Sequence, residues 1–186
     1  VAMLLVRSGL RCFVLADGDR VEASNLNRQF FWPEDVGRLK VEALGDRLRA
    51  LEPELDMRLL ARMITAAEAP ELFRGCDVVV EALDAPELKA GLCRSLLGAG
   101  LYVVAASGLG GTGGNLAPPM RTRTLGDSLV CVGDFMSAVS GSAPPLAPRV
   151  MQAAALQADA VLARLLKSEG PPGHCARAVV LTAPKA

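Results

Sequence analysis

Short apolar runs alternate with helical segments along this chain, and their order predicts its secondary structure. Apolar runs at 12–15 and 102–106, and the β-branched run within 77–82, are typical of strands that are buried on both faces. The helices predicted between and around these strands cover 1–9, 36–51, 66–73, 86–97 and 146–167. This alternation is typical of an α/β fold whose parallel sheet carries helices on both faces.

Weaker patterns predict further strands. Residues 57–60 are predicted to form one strand and residues 178–181 a short final one. Alternating residues around Gly126-Asp127 predict a hairpin of 121–125 with 128–132. The expected fold is therefore a single α/β domain over 1–186, with a Rossmann-like, doubly wound mixed sheet. Its parallel strands come first, its antiparallel strands follow, and helices cover both faces.

Charge and composition narrow the classes of partner. The chain has 20 Lys and Arg against 20 Asp and Glu, so no basic excess points to nucleic acid or to a membrane surface. Only 4% of the residues are aromatic while 51% are hydrophobic, which favours an α/β core of small aliphatic side chains. We expect neither nucleic acid nor membrane as a partner, since no apolar run reaches the roughly 18 residues of a membrane span.

The five cysteines are scattered and form no C-x-x-C pair, so we expect reduced thiols in a cytoplasmic protein. His174 and Cys175 make one isolated pair, which is too few ligands for a metal site.

Candidate chemistry is concentrated in residues 15–29. The first apolar run ends on two carboxylates, Asp17 and Asp19, and a carboxylate at such a position can hydrogen-bond ribose hydroxyls. The polar run 24–29 follows with amide side chains and Arg28, whose planar fork of donors suits phosphate. Together these groups describe a nucleotide site, although an acidic turn and a solvated polar loop are the simpler alternative.

The pattern D-x-D-x-V-x-x-S-N-L-N-R-Q over 17–29 resembles the adenylating enzymes ThiF, MoeB and HesA, relatives of the ubiquitin-activating enzyme. The A-P-R-V run at 147–150, followed by A-x-x-Q-A, is most similar to the shorter ThiF relatives. The resemblance implies ATP- and Mg²⁺-dependent adenylation of the C-terminal Gly-Gly carboxylate of a ubiquitin-like sulfur carrier. It points to a ThiS-like carrier in thiamine biosynthesis and to a homodimer.

The resemblance also assigns roles to single residues. It gives Asp17 and Asp19 to nucleotide binding, Arg28 and Lys40 to the phosphates, and Asn25 to a phosphate or to the water shell of the metal. Lys40 opens a helix, where a cation opposes the helix dipole unless an anion faces it; a solvated surface lysine is the alternative. Asp84 matches the Mg²⁺ ligand of the family, and a helix cap before Pro86 is its structural alternative.

Three departures from the family pattern carry expectations of their own. Ala85 stands where many relatives have Asn, and the next basic residue is Lys89. No strand and Gly-rich loop precede the helix at 1–9, so we expect an N-terminally truncated domain that lacks its first, central strand, part of its phosphate cradle and an N-terminal Arg. The two C-x-x-C pairs of zinc-bearing members are missing, so we expect no zinc.

Two loops are candidates for carrier contact. The glycines of 107–115 permit close approach of a Gly-Gly tail, or simply a loop of low order. The loop 133–148 matches a crossover loop over the carrier tail in the family, and it contains no Cys, so we expect no covalent intermediate.

Two other classes of function stay open from the sequence. A non-catalytic scaffold that binds a carrier or dimerises is favoured by the missing Gly-rich loop. An NAD(P)-dependent oxidoreductase is compatible with the fold, but it has no need for a phosphate-binding Arg in the polar run.

Overall fold

A computed structural model describes residues 1–83, 86–110, 118–138, 144–167 and 176–182. Its strands are β1 (Cys12–Ala16), β2 (Asp56–Leu60), β3 (Val78–Ala82), β4 (Val103–Ala106), β5 (Arg121–Leu125), β6 (Leu129–Gly133) and β7 (Arg177–Thr182). Its helices are α1 (Ala2–Arg7), α2 (Lys40–Leu51), α3 (Ala69–Leu72), α4 (Pro86–Gly98) and α5 (Ala147–Lys167). Each predicted helix and strand is therefore present, with bounds shifted by a few residues.

The seven strands form one sheet in the order β2-β1-β7-β3-β4-β6-β5. Every neighbouring pair is parallel except β5 with β6, which is the predicted antiparallel hairpin at one edge. The expected mixed, doubly wound sheet is confirmed.

The last strand of the chain fills the centre of the sheet. We expected the first, central strand to be missing, and β7 lies between β1 and β3, parallel to both; the truncation itself stays a prediction. Its sequence explains why it can do so, since Ala178, Val179 and Leu181 are almost completely buried and present apolar side chains to both faces.

Apolar residues divide between the two faces of the sheet by strict alternation. In β3, Val78 and Val80 pack with α1, α2 and α5 on one face, whereas Val79 packs with α3 and α4 on the other. Burial of strands on both faces requires near-continuous apolar runs, which is the pattern in the sequence. The two helical layers therefore cover the faces of the sheet and leave the carboxyl ends of its strands uncovered.

One cysteine corrects the sequence expectation. Cys12, which opens β1, is disulfide-bonded, so the prediction of reduced thiols is wrong for this residue. Cys76, Cys93 and Cys131 are free, and burial raises the pKa of each thiol, that of Cys93 to about 12. Cys175 and His174 lie outside the described residues.

Candidate functional site

A cavity of about 1100 Å³ opens at the carboxyl ends of β1, β3 and β4. Ligands of open α/β sheets bind outside the carboxyl ends of the strands. Its polar lining comes from the loop after β1, from the starts of α2 and α4, and from α5. These polar residues are Asp17, Ser24, Asn27, Arg28, Gln29, Lys40, Glu87, Lys89 and Gln157.

Three charged side chains converge where β1 ends and α2 begins. Lys40 Nζ donates a hydrogen bond to Asp19 Oδ2 at 2.8 Å and lies 4.0 Å from Asp17 Oδ2. The carboxylate of Asp17 in turn accepts a hydrogen bond from the backbone N–H of Asp19 at 2.7 Å. An anion therefore faces the first residue of α2, which explains how a lysine is accommodated there.

The loop after β1 is held by its own polar groups. Asn25 is buried, and its Oδ1 accepts a hydrogen bond from the Glu22 backbone N–H at 3.0 Å, so this side chain closes a 3₁₀ turn at Ala23–Asn25. Asn25 is not among the residues that line the cavity. Its expected contact with a phosphate or with the metal's water shell stays a prediction, and the structure gives it a structural role.

Arg28 emerges from this loop into the cavity. Its Nη1 donates to Ser24 O at 2.7 Å and to Asn27 Oδ1 at 2.8 Å. A guanidinium carries five N–H donors on three nitrogens, so two bonds through Nη1 fix the direction of the fork without exhausting it. The structure thus places Arg28 and Lys40 on the same cavity as Asp17.

A buried anchor fixes the segment that joins Arg28 to Lys40. The carboxylate of Asp35 accepts hydrogen bonds from Arg47 Nη2 at 2.5 Å and from the Trp32 backbone N–H at 2.9 Å. The Arg47 guanidinium also lies over the Trp32 ring, 3.7 Å from its centroid. Burial alone would raise the pKa of Asp35, but these hydrogen bonds and the charge of Arg47 hold it below its usual range. Sequence reasoning missed this anchor.

A second buried ion pair lies beyond β6. Arg149 of α5 binds the carboxylate of Asp134, which also accepts hydrogen bonds from Ser137 and from the Met136 backbone N–H at 2.8 Å. Arg149 Nη1 donates to Pro118 O at 3.2 Å. The pair joins the end of β6 to the start of α5, so it closes the loop between them at its base. A charged residue inside the A-P-R-V run was its only sequence signal.

The predicted Mg²⁺ ligand, Asp84, and its neighbour Ala85 lie outside the described residues. In the rest of the described chain no group of three or more His, Cys, Asp or Glu side chains is arranged to hold a metal ion. Mg²⁺ at a phosphate site needs only one or two protein carboxylates, so the described residues are compatible with a magnesium–nucleotide complex. The cations at 28 and 40 and the carboxylate at 17 suit the phosphates and ribose of ATP.

None of the helices in the described ranges is long and apolar enough to cross a lipid bilayer.

Comparison with known proteins agrees with the pattern at 17–29. The model of the ThiF family matches residues 1–177. The adenylyltransferase and sulfurtransferase uba4 of Emericella nidulans is 32% identical over 137 residues, which are 70% of this chain and 28% of that protein. The sulfur carrier protein ThiS adenylyltransferase of Escherichia coli is 32% identical over 121 residues, 63% of this chain and 48% of that protein. This chain thus spans about a quarter to a half of these relatives.

Solved structures show the same fold at lower identity. The tRNA N6-threonylcarbamoyladenosine dehydratase TcdA of E. coli, in complex with ATP, superposes with a TM-score of 0.72 at 20% identity and covers 91% of this chain and 82% of its own. E. coli MccB with ATP gives a TM-score of 0.67 at 22% identity, covering 92% of this chain and 53% of its own. At such identities the likeness establishes the fold alone.

Proposed function

Because the chain belongs to the ThiF family, we propose that it transfers adenylate from ATP to the C-terminal carboxylate of a ubiquitin-like sulfur carrier. The observation that carries the proposal is that Asp17, Arg28 and Lys40 line one cavity, where Lys40 is paired with Asp17 and Asp19. Two cations at this place favour ATP over NAD, because three phosphates need more charge compensation than two.

The chemistry asks little of a general base. A carboxylate is already an anion near pH 7, so it attacks the α-phosphorus of ATP directly. The new bond joins a carboxylate oxygen to phosphorus, the bond between the α-phosphorus and the bridging oxygen breaks, and pyrophosphate leaves. Two anions must approach each other, so the protein has to neutralise charge and align the reactants.

Each site residue has a defined part in that task. Lys40 and Arg28 bind the phosphates and compensate their charge, while Asp17 accepts hydrogen bonds from the ribose. Asp19 holds Lys40, and Asn25 shapes the loop that presents Arg28. Asp84 would hold Mg²⁺, which supplies electrostatic stabilisation of the phosphates when it is bound.

The finer assignment is a ThiS-like carrier with a Gly-Gly terminus, in thiamine biosynthesis. It is supported by the E. coli relative named for ThiS, whereas other relatives are named for uba4 and for molybdopterin synthase. We further propose a cytoplasmic homodimer without zinc and without a covalent carrier intermediate. The last point is supported by the free thiols Cys93 and Cys131, which are partly buried and whose pKa values are raised by this burial.

The test is carrier-dependent exchange of labelled pyrophosphate into ATP. Wild-type protein with a Gly-Gly carrier should exchange, and Asp84→Asn should abolish exchange while ATP binding survives in part. The control is Asp127→Asn, which changes an exposed carboxylate in the β5–β6 turn and should exchange normally. Full exchange by Asp84→Asn would reject the metal role. Carrier binding without any exchange by the wild type would establish the scaffold instead.

A second variant examines the ribose contact. Asp17→Ala should mainly raise the KM for ATP, because it removes an acceptor without touching the carrier. An unchanged KM for ATP would remove Asp17 from the ribose site.

A further inference from the structure

The carboxyl ends of β3 and β4 diverge beneath the cavity. These strands pair through Val79 with Val103 and through Val80 with Val104, and the pairing stops there. Beyond these pairs, backbone carbonyl groups of β3 and β4 accept hydrogen bonds from side chains of both helical layers. Gln157 of α5 donates from Nε2 to Glu81 O at 3.1 Å, and Lys89 of α4 donates to Ala106 O at 2.5 Å.

Lys89 is held by a completely buried carboxylate. Its Nζ forms an ion pair with Glu81 Oε2 at 3.1 Å, while Glu81 Oε1 accepts a hydrogen bond from the backbone N–H of Leu83 at 2.5 Å. The Glu81 side chain is 0% exposed, whereas Lys89 is 23% exposed and lines the cavity. A buried carboxylate needs a charge partner, and this one fixes the position of an ammonium at the cavity wall.

The ammonium retains capacity for a ligand. It carries three N–H donors, of which Ala106 O takes one. The Glu81 carboxylate accounts for at most one more. At least one donor therefore remains for a ligand, and Lys89 is partly exposed and lines the cavity.

The Lys89 ammonium is separate from the cations of Arg28 and Lys40, which lie near Asp17 at the end of the cavity that we call the nucleotide end. Asp17 follows β1, and Lys89 is bound where β3 and β4 end, two to three strands away in the order β1-β7-β3-β4. At about 4.8 Å per strand, this separation is roughly 10–14 Å. The cavity therefore has one cationic end at Arg28 and Lys40 and a second at Lys89, which suits two different anions.

We propose that Lys89 binds the C-terminal carboxylate of the acyl substrate and presents it to the nucleotide, and that Glu81 is the positioning residue for Lys89. This inference rests on the proposed function, since it takes the second anion to be the carboxylate that is adenylated. A purely structural Lys89 would join α4 to β3 and β4 without meeting the substrate.

Direct binding separates the two roles without any turnover. The probe is a fluorescein-labelled peptide that ends in Gly-Gly, prepared both as the free acid and as the C-terminal amide. Fluorescence anisotropy should show that the wild type binds the acid at least tenfold tighter than the amide, equivalent to about 1.4 kcal/mol. Lys89→Met should bind the two peptides equally, and Lys89→Arg should keep part of the preference.

Control measurements test whether the variants remain folded and whether they still bind ATP. Arg94→Met removes an exposed cation from the same helix and should leave the preference intact. Since Lys89→Met leaves Glu81 buried without its partner, the double variant Glu81→Gln with Lys89→Met is measured beside it and should lose the preference while remaining folded. The Kd for ATP should stay within twofold in each variant.

Three outcomes overturn the inference: no acid preference in the wild type, an unchanged preference in both Lys89 variants, or a loss of ATP binding in place of the preference. Failure of the proposed function is a different result. It is the absence of pyrophosphate exchange by a wild type that still prefers the acid peptide through Lys89.

Discussion

Arg149→Met should be among the most damaging single substitutions outside the nucleotide end, because it removes one half of a buried ion pair. Asp134 is 0% exposed in that pair and Arg149 is 5% exposed. Removing one partner of a buried pair costs about 3–5 kcal/mol, since the other charge stays buried without compensation. For a domain of this size each kcal/mol lowers Tm by about 2–4 °C, so we expect a fall of about 6–20 °C.

The pH dependence of the protein's stability follows from the Asp134 carboxylate. Burial alone would raise the pKa of Asp134, but hydrogen bonds from Ser137 and Met136 and the charge of Arg149 hold it below its usual value. The contribution of Asp134 to stability is therefore complete above the unfolded pKa of about 3.9 and is lost as the pH falls through the lower folded value. The stability difference between wild type and Asp134→Asn should shrink below about pH 4.

Urea unfolding followed by circular dichroism at pH 7 measures this cost. The matched control is Arg74→Met, because Arg74 pairs with Glu71 on the surface, where the side chains are 77% and 75% exposed. That change should cost less than about 0.5 kcal/mol. If Arg149→Met costs no more than Arg74→Met, the argument from burial is refuted.

Three further predictions concern other sites. Lys40→Met should weaken ATP binding about 10- to 150-fold in calorimetry, because a charge-assisted hydrogen bond contributes about 1.5–3 kcal/mol. Unchanged affinity would show that Lys40 does not bind the phosphates. Gly133→Ala should prevent stable folding, because the new Cβ would lie 1.6 Å from Ser107 O and the backbone φ of 147° disfavours a side chain. As a control, Gly91→Ala in α4 places its Cβ where nothing lies within 4 Å and should raise Tm. Burial, which raises the pKa of Cys93 to about 12, should make its alkylation at pH 8 at least tenfold slower in the native than in the unfolded protein; equal rates by mass spectrometry would contradict its burial.

The strands and the convergence of Asp17, Arg28 and Lys40 on one cavity could be predicted from the sequence because both depend on local patterns, whereas the binding of a nucleotide there stays a proposal. The run 78–80 is apolar on both faces, and such a run specifies a buried strand by itself. Asp17, Arg28 and Lys40 lie within one short stretch, so their convergence needed only a strand, a loop and a helix start. The start of α2 was less well predicted, since 36–39 continue the helical pattern but precede the helix at Lys40.

What could not be predicted depends on partners far apart in the chain. The pattern at 178–181 predicts a strand but not its neighbours, so it gave no sign that β7 would lie between β1 and β3. The pairs Asp134–Arg149 and Glu81–Lys89 likewise exist only because the fold brings their elements together. A charged residue in an apolar helix or strand is the one signal that such a partner exists, and it does not name the partner.

The central position of β7 also sets an order of events during folding. Cys12 of β1 pairs with Arg177, so the β2–β1 part of the sheet and the β3–β4–β6–β5 part share no strand pairing until β7 joins them. Such long-range pairing makes closure slow. Without β7, the facing edges of β1 and β3 would be unpaired, and exposed edges of this kind pair with other chains. The strand that stabilises the middle of the sheet thus also covers two edges that would otherwise favour aggregation.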